Sequence, residues 1–324
     1  METAPEPYAR RVRRLPLDLD VTAAGLAGID HLAADLVLPE GADTGPLVVC
    51  LPGGGMNRRY FDLPDADTAD RPGPWSMAGH LAERFGIAVA VVDHPAVGDS
   101  PVPADPWKLV PTVVADVDDA AVQSLLVRLA IEGTWRPTSV VGCGHSMGGM
   151  LTTRLQQRHR RFDALVLLGF GGAGLPQYLT SADLAHVGDL AGLEPALPDL
   201  VRERFGGPLR ASTTTDSELL APDVAPGARD VLATAAADLL TMCGLTSMIP
   251  GTSDDAMRVI DVPVFIGVGD NDIAGAVDPI AASFTESPAV RAFTLPGAGH
   301  NHSISRNRTD LWDAIGEWIV APRP

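Results

Sequence analysis

The stretch Val140-Val141-Gly142-Cys143-Gly144-His145-Ser146-Met147-Gly148-Gly149 constrains this chain more than any other. An apolar, β-branched run ends in Gly144-His145-Ser146-Met147-Gly148, and a helix-compatible segment from Met150 to His159 follows at once. The order predicts a strand, a tight turn and a helix. Side chains at positions 144 and 148 would collide with the neighbouring strand and helix, so a serine held in such a turn needs glycine on both sides. The turn lifts the Ser146 hydroxyl above the sheet edge, beside the first amides of the helix and the positive end of its dipole. A serine so placed can attack a carbonyl carbon. The spacing alone also fits a plain strand-to-helix turn, so its partners decide the matter.

At 324 residues the chain has room for one large core plus an insertion, or for two small domains; the first is expected. With 46% hydrophobic and 20% charged residues it has the balance of a globular protein. A net charge of −17 argues against a nucleic-acid or anionic-membrane partner, because the surface repels phosphates. Cys50, Cys143 and Cys243 are odd in number and far apart, which suits buried thiols in a reducing compartment and offers no metal-ligand spacing. Arg10, Arg11, Arg13 and Arg14 precede no apolar stretch of secretory type, and no window has the length of a membrane span. The expectation is a soluble, cytoplasmic protein.

Residues Met1 to Arg14 read as a loose lead-in, followed by an alternating strand at Leu15 to Val21 with Leu32 to Leu38 as its antiparallel partner. A continuous apolar run at Leu47 to Leu51 reads as a strand buried on both faces, Gly86 to Val92, Ser139 to Gly144, Ala164 to Phe170 and Val262 to Val268 read as further strands of the core, and Val290 to Leu295 reads as the last strand. Helical patterns lie between them at Trp75 to Phe85 and Thr112 to Ile131, and a closing helix at Asp310 to Val320. This alternation implies a doubly wound, mostly parallel sheet. Asp116, Asp118 and Asp119 are assigned to a solvated helix face, and His94 to a hydrogen-bonded scaffold position. From Gly171 to about Ile260 the rhythm breaks into helical segments such as Ala228 to Met242 and a loop at Ser212 to Ser217. Leu239, Leu240, Met242, Leu245, Met248 and Ile249 fit either apolar packing within this insertion or a pocket lining, packing being the better account.

The Gly144-to-Gly148 turn in this setting resembles the nucleophile elbow of the α/β-hydrolase superfamily, a resemblance that covers nearly the whole chain outside the insertion. It implies a sheet of about eight strands with helices on both faces and a helical cap inserted after strand 6. The corresponding divisions are 1–170 for the first part of the core, 171–260 for the cap and 261–324 for the second part of the core. Pro52-Gly53-Gly54-Gly55-Met56 resembles the family's oxyanion loop, which makes Gly54, with Gly55 next, and Met147 the candidate amide donors. Many family members have histidine where this chain has Pro52, so the loop must be braced otherwise. Asp93-His94-Pro95-Ala96-Val97-Gly98-Asp99-Ser100 is similar to another family turn, with Ala96 at its first glycine. Gly269-Asp270-Asn271-Asp272 resembles the acid loop, with Asp272 as the orienting acid and Asp270 as runner-up. Gly297-Ala298-Gly299-His300 resembles the histidine loop, which makes His300 the general base; His302 lies two residues on.

Ser146, Asp272 and His300 follow the chain order of α/β-hydrolase triads. The resemblance implies a serine hydrolase acting on an ester, thioester or lactone of a small, largely apolar molecule, with no cofactor and no metal. Two alternatives stay open: an acyltransferase with a bound alcohol or amine as acceptor, and a ligand-binding protein without turnover.

Overall fold

Leu47 to Leu51 shows how the sequence builds the sheet. Leu47, Val49 and Leu51 face one hydrophobic core and Val48 and Cys50 the other, all of them buried. A strand with apolar residues at every position is stable only when both of its faces are covered. The computed structural model describes residues 11–64, 74–212, 224 and 227–322.

The strands are β1 (Val12–Asp20), β2 (His31–Pro39), β3 (Thr44–Leu51), β4 (Ala88–Val92), β5 (Arg136–His145), β6 (Ala164–Leu168), β7 (Leu209–Ala211), β8 (Asp238–Leu240), β9 (Val264–Gly269) and β10 (Val290–Leu295). The helices are α1 (Met77–Phe85), α2 (Pro111–Glu132), α3 (Met147–His159), α4 (Ser181–Leu184), α5 (Leu190–Phe205), α6 (Ala228–Ala233), α7 (Thr241–Met248), α8 (Asp254–Arg258), α9 (Val277–Ala282) and α10 (Arg308–Val320). Eight strands form one sheet in the order β1-β2-β4-β3-β5-β6-β9-β10. β2 is antiparallel to both of its neighbours, and every pair from β4 to β10 is parallel. One core takes in Leu125 and Leu129 of α2 and Leu151 and Leu155 of α3, and the other Leu81 of α1 and Leu311 and Ile315 of α10, so helices cover both faces. The expected α/β fold is the one observed. Because β3, β5, β6, β9 and β10 run the same way, the loops after all five emerge at one edge, where open parallel sheets bind ligands.

The structure corrects four details of the sequence reading. Val12, Arg13 and Arg14 already belong to β1, paired with Pro39, Leu38 and Val37 in that order, so the lead-in ends earlier than expected. The helix expected from Trp75 begins at Met77, where the Ser76 hydroxyl caps it by accepting the Gly79 amide at 2.7 Å. Ala228 to Met242 is not one helix. After α6 a turn at Thr234 and Ala235 leads to a bridge between Ala236 and Met56, β8 pairs with β7, and α7 starts at Thr241. The alanines favour a helix, but Ala235 and Ala237 form hydrogen bonds with the loop after β3, and these tertiary bonds win. Finally, Asp118 and Asp119 are buried rather than solvated. Of the loop expected at Ser212 to Ser217, all but Ser212 lies outside the described residues. Among the described residues no helix is long and apolar enough to cross a membrane.

Candidate active site

Ser146 sits between β5 and α3 with φ 53° and ψ −121°, a left-handed backbone that a non-glycine residue adopts only under constraint. The constraint is visible. Its amide donates to Leu168 O of β6 at 2.8 Å, and its carbonyl accepts the Gly149 amide at 2.8 Å. A Cβ at Gly144 would come within 2.4 Å of Gly148 O, and one at Gly148 within 2.3 Å of Leu51 O. Both positions therefore exclude any side chain, for the steric reason the sequence suggested.

Three loops meet at Ser146. The Ser146 hydroxyl donates to His300 Nε2 at 2.9 Å, and His300 Nδ1–H donates to Asp272 Oδ1 at 2.8 Å. Asp272 Oδ1 also accepts the Ala274 amide at 2.9 Å. The Asp272 side chain is fully buried while His300 keeps a small exposed fraction. Burial pushes the Asp272 carboxyl up, but His300 and His302 outweigh it, through their N–H groups and through the positive charge either gains on protonation, and hold the carboxyl far below its ordinary value. It is a permanent anion. Asp270, by contrast, is exposed, and its carboxylate accepts from the side-chain amide of its neighbour Asn271 at 2.8 Å.

The loop after β3 runs beside the serine. A Cβ added at Gly53 would meet Ser146 Cβ at 3.2 Å, and one at Gly54 would meet Met147 Cβ at 3.8 Å and Leu239 Cδ1 at 2.7 Å. This loop is stitched to the insertion, since Asn57 N–H donates to Ala235 O at 2.8 Å and Ala237 N–H donates to Gly55 O at 2.9 Å. It is braced from below as well. His94 Nε2–H donates to Pro52 O at 3.1 Å, and His94 Nδ1 shares a proton with Asp118 Oδ2 at 2.8 Å; both side chains are wholly buried. Burial pushes Asp118 up and would push His94 down, but the neighbouring Asp118 outweighs it and raises His94. The pair thus stays net neutral around one shared proton. It supplies the brace that Pro52 cannot. Arg58, just beyond the loop, donates its amide to Asp93 Oδ1 at 2.6 Å and its guanidinium to Asp93 Oδ2 at 2.5 Å, tying this loop to the one after β4.

Two further histidines went unassigned in the sequence. His145 is buried, stacks on Tyr60 with ring centroids 4.5 Å apart, and donates Nε2–H to the main-chain oxygen of His300 at 2.8 Å. Burial, aided by His300 and His302, lowers its proton affinity well below the ordinary value, so it is neutral. His302 approaches Asp272 Oδ2 through Nε2 at 2.8 Å. The His-x-His spacing was the one signal that could have found the second imidazole. Leu240, Met242, Leu245 and Ile249 belong to a packed core, while Leu239 lies against Gly54.

A cavity of about 40 Å³ touches Ser146 and His300, walled by Phe170, Leu175, Ser247 and Ile273, and a wider groove of about 500 Å³ shares Ala274 with it. Among the described residues His300 is the only ionisable side chain on the small cavity's wall.

The comparisons with known proteins agree with this architecture. The sequence pattern described as "Alpha/beta hydrolase family" matches residues 48–314, and the chain belongs to that family. No curated protein matches it. Among solved structures, a thermophilic esterase from Thermogutta terrifontis is 16% identical, with a TM-score of 0.56 over 94% of this chain and 97% of that one. A monoacylglycerol lipase from Paleococcus ferrophilus is 19% identical, with a TM-score of 0.60 over 89% and 98%. The epoxide hydrolase CorEH is 16% identical, with a TM-score of 0.54 over 96% and 99%. At these identities the likeness is one of fold.

Proposed function

We propose that the chain is a serine hydrolase that cleaves a carboxylic ester, thioester or lactone of a small, uncharged molecule through an acyl-enzyme. The observation that carries this reading is the unbroken hydrogen-bonded line from Ser146 Oγ through His300 to Asp272. His300 Nε2 takes the Ser146 proton as Oγ bonds to the carbonyl carbon. Asp272 holds the Nδ1–H tautomer and balances the imidazolium that results. The amides of Gly54 and Met147, which donate to no protein acceptor among the described residues, stabilise the oxyanion, each such donor being worth about 3 kcal/mol in the transition state. Collapse of the intermediate breaks the bond to the leaving group, which takes the proton from His300. Water then gives a proton to His300 and its hydroxyl to the acyl carbon, and as the bond from that carbon to Ser146 Oγ breaks His300 returns the proton to Oγ, freeing Ser146.

The small volume of this cavity, about 40 Å³, supports a short group on one side of the ester. Residues 171–260 act in this reading as a cap, supported by Leu175 and Ser247 on the cavity wall. The three cysteines, all unpaired and buried, suit the cytoplasm. The esterase and lipase folds above lend the same reading support by likeness only.

The test combines a fluorophosphonate probe, located by mass spectrometry, with turnover of p-nitrophenyl esters from acetate to octanoate. Label on Ser146 and a loss of about a thousandfold or more in Ser146→Ala are expected. Label elsewhere, or turnover undiminished in the variant, overturns the assignment. Added alcohol that diverts product from free acid to a new ester would instead favour acyl transfer.

A further inference from the structure

The proposed reaction uses one imidazole on Asp272, yet the structure provides two. His300 Nδ1 meets Oδ1 and His302 Nε2 meets Oδ2, each at 2.8 Å. We propose that His302 is a positioning residue for this site, holding the second oxygen of Asp272 and, by drawing off part of the carboxylate's charge, limiting how tightly His300 retains a proton. This rests on the serine-hydrolase reading given above.

The contact with Asp272 decides which nitrogen of His302 carries the proton in this proposal. Asp272 is anionic and can only accept, so Nε2 bears hydrogen and donates to it. The Gly269 amide lies 3.1 Å from the same nitrogen. That amide would find an acceptor there only if Nε2 lacked hydrogen, so the two contacts compete, and the 2.8 Å approach to an anionic oxygen, the closer and charge-assisted one, prevails. The ring is held in place independently of the carboxylate, because it is buried and meets His145 edge to face at 5.8 Å. Its backbone is held as well, through the His302 amide, which lies 3.2 Å from His300 O, the oxygen that also receives His145 Nε2–H.

Three N–H groups therefore converge on Asp272: His300 and Ala274 on one oxygen, His302 on the other. Each added donor stabilises the anion and weakens its pull on the proton shared with His300. Among the described residues the other titratable groups acting on the cluster are His145 at the end of β5 and Tyr60 from the loop after β3, with Cys143 of β5 acting in turn on Tyr60. Burial lowers His145 and raises Tyr60, so both are uncharged near neutral pH and leave His302 as the adjustable contact. Without it the carboxylate's charge concentrates on His300, which then keeps its proton to higher pH and is a poorer base below that point.

The experiment compares the pH dependence of kcat/KM on p-nitrophenyl acetate for the full chain and for His302→Met and His302→Gln, with thermal unfolding of each. The two variants match in length and differ in whether they can donate to Asp272. In His302→Met the acid limb is expected to move up by about half to one pH unit, with the plateau lowered about tenfold. His302→Gln is expected to keep the limb within a few tenths of the parent. A limb unmoved in folded His302→Met, or moved equally by both, overturns the proposal, since a packing role lowers the rate alike at every pH. If His302→Met does not fold, nitrogen-15 spectra of the parent protein decide: His302 should show the Nε2–H form, and an Nδ1–H form overturns the proposal. Failure of the hydrolase reading looks different, as no Ser146-dependent turnover would exist in the parent chain.

Discussion

At the level of single residues the strongest assignments were those enforced by steric exclusion. Gly144 and Gly148 leave less than 2.5 Å for any Cβ, so the turn's spacing in the sequence already carried its geometry. The choice between Asp272 and Asp270 was different, because two acids two residues apart on one loop look alike until the backbone is seen. Asp272 is buried against two histidines and Asp270 faces solvent. Asp272→Asn is therefore expected to lower kcat by about 10⁴, as loss of the tautomer-holding acid does elsewhere, and Asp270→Asn to stay within about twofold of the parent. Steady-state kinetics on one ester checks both, and a larger loss at Asp270 would move the role there. Ala96 shows the converse kind of legibility. It stands where a similar turn has glycine, and its φ of 63° shows that the turn keeps that conformation at the cost of a strained alanine.

At the level of elements, strands were read well and the brace beneath the Gly53-Gly54 loop was not. Buried parallel strands are continuous apolar runs, a signal that needs no tertiary context, whereas the brace joins Pro52, His94 and Asp118 from three separate segments. A clue was present: Val114, Asp118, Ala121 and Leu125 are spaced four, three and four apart, which puts the acid on the buried face of α2. The breakdown of helix at Ala235 to Ala237 left no such clue, since its cause is a pair of hydrogen bonds to a distant loop. The buried pair makes a thermodynamic prediction. His94→Leu leaves Asp118 uncompensated in the core and should cost about 3–5 kcal/mol, while His94→Leu with Asp118→Leu removes both charges and should recover a large part of that loss. Urea unfolding of parent, single and double variants measures it. A double variant less stable than the single one would show that the two side chains do not act as a pair. Either variant should also slow turnover more than it raises KM, because the loop carrying Gly54 loses its anchor.

Across the whole molecule the excess of acid acts at a distance that no local contact reaches. Forty-one acidic residues face 24 basic ones, and many of the basic ones are engaged in ion pairs, as Arg14, Arg58, Arg158 and Arg161 are with Asp62, Asp93, Asp116 and Asp119. Among the described residues the small cavity has no cation on its wall other than His300 when protonated. An anionic substrate therefore meets a repulsive field with no local charge to offset it, while a neutral one does not sense the field. Salt shortens the reach of that field from about 30 Å at 0.01 M to about 8 Å at 0.15 M. At a fixed pH of 7.5, kcat/KM for p-nitrophenyl hemisuccinate should rise several-fold over that range, and kcat/KM for p-nitrophenyl acetate should stay level. Parallel behaviour of the two esters would assign the salt effect to the protein's own conformation, and a fall for the anionic ester would reveal a cationic subsite that the cavity wall does not contain.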